Sequence, residues 1–129
     1  MRIWASFVSA ALAAGLPALA ADPWASPEVV SVTMVDDRFE PSTVAFHSGK
    51  PTELRLRNTG KELHEFTAAA FFRAARVRDP RQLANGGTEI VLQPGTSVRV
   101  LLIPGKPGSY ALTCADHDWA GMVGTITVQ

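Results

Sequence analysis

Cysteine is almost missing from this chain of 129 residues: Cys114 is the only one. A single thiol closes no internal disulfide. Histidine is nearly as scarce, with His47, His64 and His117 the whole supply. An excess of charge of one sign is missing too. Twelve Lys and Arg balance twelve Asp and Glu, and no basic surplus points to a nucleic acid. No glycine-rich phosphate cradle occurs. Beyond residue 20 there is neither an internal repeat nor a low-complexity tract.

The one long apolar run stands at the start. Arg2 precedes the Ala-rich stretch Ile3 to Leu16, and Ala18-Leu19-Ala20 meets the small-x-small rule for cleavage. Residues 1–20 therefore read as a secretory signal, with Ala21 opening a mature domain over 21–129. The run is short for a spanning helix, which needs about 20 apolar residues. No twin arginine precedes it. General export to a periplasm is expected, with no membrane insertion of the mature domain. In an oxidising compartment a lone free thiol is a liability unless something occupies it.

What the chain does have is alternation punctuated by turns. Ten Gly and nine Pro are spread along it, as in a turn-rich β protein. Glu28 to Val35 places Val30, Val32 and Met34 on one side and Ser31 and Thr33 on the other, the pattern of a half-buried strand. Asp36-Asp37-Arg38 reads as a turn and Thr43 to Phe46 as a second strand. Thr52 to Asn58 sets Leu54 and Leu56 against Glu53, Arg55 and Arg57, a strand with one wet face. After the turn Asn58-Thr59-Gly60, Glu62 to Thr67 is extended again. Thr88 to Leu92, Ser97 to Ile103, Ser109 to Cys114 and Thr125 to Val128 follow, joined by Pro- and Gly-containing turns. His47 lies beside a turn with no sulfur neighbour and reads as a surface residue. Ala68 to Gly87 breaks the alternation. It is rich in Ala and Arg, good helix formers, and carries Arg73, Arg76, Arg78 and Arg81. It is either a cover packed on one end of a barrel with solvated arginines, or a docking patch for an acidic partner. The whole is expected to be all-β: a Greek-key sandwich or barrel of seven or eight strands with a helical insertion at about 68–87.

The densest chemistry lies between the last two strands, in Tyr110-Ala-Leu-Thr-Cys114-Ala-Asp-His117-Asp-Trp-Ala-Gly-Met122-Val-Gly124. A thiolate, an imidazole and a thioether share one short loop, spaced Cys-x2-His-x4-Met. Taken singly, each has a plain reading: a buried small hydrophobe, a surface ring, a packing side chain. Taken together, soft sulfur with imidazole suits copper, because such a set serves both Cu(I) and Cu(II). Tyr110, Leu112 and Cys114 share a face by the period of a strand, so the sulfur enters from the same face as two large side chains.

This loop resembles that of the cupredoxins, the small blue-copper proteins, and is closest to the plastocyanin and pseudoazurin type. There Cys-x2-His-x4-Met is often followed by Val-Gly and a last strand, as in Met122-Val-Gly-Thr-Ile-Thr-Val128 here. In that family the first ligand histidine lies just after an Asn-x-Gly turn, a place that His64 fills. The resemblance thus implies one copper ion per chain, held strongly by His64, Cys114 and His117 and weakly by an axial Met122. An amide often follows the first ligand histidine, but this chain has Glu65. Three roles stay open for Glu65: a surface residue, an acceptor beside the loop, or an additional ligand. Trp119 is either part of an apolar rim around His117 or packing under the loop.

The resemblance implies a monomeric periplasmic electron carrier that serves redox partner proteins, membrane-bound or acidic ones included. The alternative is a redox accessory or copper-binding protein of a membrane iron or copper uptake system. An enzyme is disfavoured: turnover on a substrate needs an open position or a second cluster, and only His47 is left over. Metal delivery is disfavoured by the lack of Met and His clusters.

Overall fold

The computed structural model describes residues 10–129. The part of the expected leader before residue 10 lies outside them. Residues 10–20 form no helix or strand, and Leu12, Leu16 and Leu19 are exposed.

The eight strands expected from alternation are present. They are β1 (Glu28–Val35), β3 (Thr43–Phe46), β4 (Thr52–Asn58), β5 (His64–Thr67), β7 (Glu89–Leu92), β8 (Ser97–Ile103), β9 (Gly108–Thr113) and β10 (Val123–Val128). Two short strands raise the count to ten among the described residues: β2 (Arg38–Glu40) and β6 (Arg76–Val77). The first begins at Arg38, a residue expected to belong to the turn Asp36-Asp37-Arg38. That turn is confined to Asp36-Asp37, where Asp37 takes φ +67°, so Arg38 is free to pair back on Val35.

The strands form two five-stranded sheets, in the orders β2-β1-β4-β8-β6 and β3-β10-β9-β5-β7. They pack face to face as a Greek-key sandwich. In the first sheet β1 runs parallel to β4, with Val32 opposite Leu56, and β4 antiparallel to β8, with Leu54 opposite Val100. These residues point inward and are buried, while Arg55, Arg57 and Arg99 on the same strands point to solvent. In the second sheet β10 pairs β9 antiparallel and β3 parallel.

The core between the sheets is aromatic at one end. Phe66 meets Phe39 edge-on at 6.0 Å and Phe72 at 6.1 Å. Phe71 lies 4.7 Å from Phe46 and 5.9 Å from Tyr110. Fully burying such a side chain is worth roughly 1.5–3 kcal/mol. This cluster fixes β5, the strand that carries His64.

The segment 68–87 is less helical than its composition suggests. Only α1 (Ala69–Ala74) is α-helix, ending where Ala75 turns extended at φ −87°, ψ 156°. Gly105 then lies so close to the Ala74 carbonyl that a Cβ on residue 105 would overlap it. Arg76-Val77 pairs with the otherwise open edge of β8, and backbone pairing there overrides the helical propensity of the sequence. A single 3-10 turn follows at Pro80–Gln82, capped by the Asp79 side chain. Phe71 and Phe72 are buried and the four arginines exposed, the arrangement of a cover on the sandwich. No helix among the described residues is long and apolar enough to cross a membrane.

Candidate metal centre

Cys114 follows the last residue of β9 and continues its inner face, so its side chain is fully buried behind Leu112. The next eight residues close on themselves. Cys114 N–H donates to Met122 O (3.0 Å), His117 N–H to Cys114 O (3.0 Å), and Met122 N–H to His117 O (3.2 Å). A 3-10 turn at Asp118–Ala120 ends at Gly121 with φ +86°, a left-handed conformation that glycine adopts without a Cβ clash. The loop thus presents Cys114, His117 and Met122 from one short run.

His64 comes from the first residue of β5 and is 0% exposed. Asn58 prepares its place. The Asn58 side-chain amide donates to Glu62 O (2.8 Å) and Leu92 O (3.0 Å), and its Oδ1 accepts from Gly60 N–H (2.9 Å). The bare Gly60 leaves room for the Asp36–His64 contact. A Cβ there would overlap Asp36 Oδ1 and stand 2.9 Å from His64 Nε2.

The three donors converge. His64 Nδ1 is 3.8 Å and His117 Nδ1 3.4 Å from Cys114 Sγ, and one donor atom from each lies within 4.8 Å of the others. An ion bound at about 2.3 Å to sulfur and about 2.0 Å to nitrogen, near trigonal or tetrahedral angles, places sulfur and nitrogen about 3.5–3.7 Å apart. Both sulfur–nitrogen separations are thus close to those around a single first-row ion. Two imidazoles and a thiolate, with the buried thioether residue Met122 on the same loop, are a set suited to copper.

Both rings are oriented by carboxylates. His64 Nε2 lies 2.9 Å from Asp36 Oδ1, and His117 Nε2 lies 2.5 Å from Glu62 Oε2. A carboxylate only accepts, so each Nε2 carries the proton and each Nδ1 keeps its lone pair for the centre. The Lys61 N–H and the His64 ring hold the Asp36 carboxyl below its usual range. Neither Asp36 nor Glu62 is recognisable in the sequence as a partner of these rings. Asp36 is 28 residues from His64, and Glu62 is 55 from His117.

Glu65 is a correction to one sequence reading: it is not a surface residue but 6% exposed. Cys114 S–H donates to its Oε2 at 3.0 Å, Asp116 N–H reaches the same oxygen at 3.4 Å, and Glu65 N–H donates to Cys114 Sγ at 3.3 Å. Burial pushes the Glu65 carboxyl up. Burial likewise pushes the Cys114 thiol up to about 12, so without a metal the sulfur keeps its proton at neutral pH. A metal must displace that proton to bind. Trp119 is a second correction to the packing alternative. It is 82% exposed, its Nε1–H donating to Asp116 O at 2.9 Å. His47 is exposed as expected and lies 2.9 Å from Glu28.

Residues 3–128 match the family described as a cupredoxin-like domain, and the chain belongs to that family. The plastocyanin of Prochlorothrix hollandica is 32% identical over 122 residues, covering 92% of this chain and 86% of that protein. Among solved structures, auracyanin B aligns with a TM-score of 0.59 at 19% identity, over 79% of this chain and 88% of its own. A dithionite-reduced auracyanin from Roseiflexus castenholzii aligns at 0.59 and 19%, over 81% and 98%. Auracyanin A, a "blue" copper protein from Chloroflexus aurantiacus, aligns at 0.58 and 15%, over 81% and 100%. These likenesses establish a shared fold.

Proposed function

We propose that this chain is an exported carrier of single electrons that holds one copper ion through His64, Cys114 and His117, with Met122 as a weak fourth ligand. The observation that carries this reading is the sulfur of Cys114 flanked by the two Nδ1 atoms at 3.4 and 3.8 Å. Copper bound there supplies a one-electron exchange between Cu(I) and Cu(II). The residues' task is to hold nearly the same arrangement in both states, because ligand movement slows transfer. β5, clamped by the phenylalanine cluster, holds His64. The self-bonded loop holds the other three. Glu65 N–H steadies the sulfur, and the burial of Cys114 and Met122 keeps water away from them.

His117 is the donor that reaches the surface, its side chain 13% exposed against 0% for His64. Exposed Trp119 and Gly121, with half-buried Ala120 between them, adjoin it on the loop. Electrons enter and leave at that edge, through brief contact with redox partner proteins of the small interface class. The protein works as a monomer in the periplasm and as a carrier rather than an enzyme. Export and cleavage after Ala20 are supported by Leu12, Leu16 and Leu19, which are at least 94% exposed. An apolar run left in water is more readily understood as a segment that is removed.

The test is spectroscopic. The mature protein with Cu(II) is expected to show an intense thiolate-to-copper band in the visible, and Cys114→Ser to abolish it. Full copper loading without that band, or a band that survives Cys114→Ser, would reject the assignment.

A further inference from the structure

The outer face of the β2-β1-β4-β8-β6 sheet carries chemistry that the metal centre does not use. Arg55 on β4 and Arg99 on β8 stand directly opposite each other, and Arg57 lies opposite Ser97. Side chains so placed start about 5 Å apart, and like charges there are destabilising unless something lies between them. Arg55 has a carboxylate beside it, Glu53 at 2.6 Å. Among the described residues neither Arg57 nor Arg99 forms an ion pair. Across β1, Ser31 is paired with Arg55 and Thr33 with Arg57. These residues border an open groove of about 300 Å³, ample for one tetrahedral oxyanion.

We propose that this groove is an oxyanion site that takes a phosphate group between Arg55, Arg57 and Arg99, with the hydroxyls of Ser31, Thr33 and Ser97 as further donors. The guanidinium fork matches the oxygens of phosphate in pairs. The three hydroxyls can each donate one further hydrogen bond to it. A phosphate there turns the Arg55–Arg99 repulsion into two attractions to one anion. The phosphate source is either the free anion or a phospholipid headgroup. A groove open to solvent on the outer sheet face admits both. The proposal is independent of the metal, since the groove lies on the solvent side of a sheet that contributes no ligand.

The experiment titrates the copper-loaded mature protein, reduced so that amide signals near the metal stay visible, with inorganic phosphate. It runs in parallel with sedimentation on vesicles of phosphatidylcholine alone and of equal phosphatidylglycerol and phosphatidylcholine. Saturable shifts at Ser31, Thr33, Arg55, Arg57, Ser97 and Arg99 identify free phosphate as a ligand. Sedimentation with the anionic vesicles only, without a response to free phosphate, identifies the headgroup. Arg99→Gln is expected to weaken whichever binding is seen about tenfold and to leave the visible spectrum unchanged. Arg73→Gln, a change to an exposed arginine on α1, is expected to leave binding unchanged. Absence of both responses overturns the proposal. So does an equal loss in Arg73→Gln, which would reduce the effect to general charge.

Discussion

The two histidines of the centre are held in opposite ways. His64 sits on β5, 0% exposed, over a strand whose Phe66 is locked by Phe39 and Phe72. His117 sits on a loop whose order comes from its own backbone bonds. Yet each offers Nδ1 to the sulfur and Nε2 to a carboxylate. The strand donor is positioned by the whole sandwich, and the loop donor by a few neighbouring residues. Such a centre has a rigid inner half and an outer half that meets solvent.

The sharpest way to break this contrast is to remove each ring in turn. His117→Gly opens a gap at the surface, and added imidazole is expected to restore the visible band. His64→Gly leaves its gap inside the sandwich, and imidazole is expected not to restore it. Equal rescue in both would show that the inner half is not closed. Next in size is Phe66→Ala, which removes the aromatic support of β5. Chemical denaturation is expected to show a loss of about 3–5 kcal/mol, with weaker metal retention. Met122→Leu nearly conserves volume, so stability should fall by less than about 1.5 kcal/mol. Its visible colour should persist while the reduction potential, read by voltammetry, moves. Loss of copper binding would contradict a weak axial role. The smallest effect is expected from Trp119→Ala on the exposed loop: stability within about 0.5 kcal/mol of the parent, measured by the same denaturation. A large loss would mean that the tryptophan supports the loop from below.

The strands show where local reading succeeds. Alternation of two faces is a local property, and Val30-Val32-Met34 and Leu54-Leu56 declare it without reference to anything distant. β2 and β6 lack it. Each is only two or three residues long and exists because an open sheet edge stands beside it. The same distinction explains segment 68–87. Its helical propensity is real, but after Ala74 the edge of β8 captures Arg76 and Val77.

The all-β class and the donor loop follow from local pattern, because Cys114, His117 and Met122 are neighbours held close by their spacing. His64 was legible only through the family resemblance, which puts a ligand histidine after an Asn-x-Gly turn. What surrounds these donors is set by distant parts of the fold. Asp36, Glu62 and Glu65 reach the two rings and the sulfur across 28, 55 and 49 residues of chain. Packing of the two sheets creates those contacts, and no local pattern encodes them. The opposition of Arg55 and Arg99 has the same origin. A strand reveals which face a residue takes, but pairing register alone reveals which residue it meets.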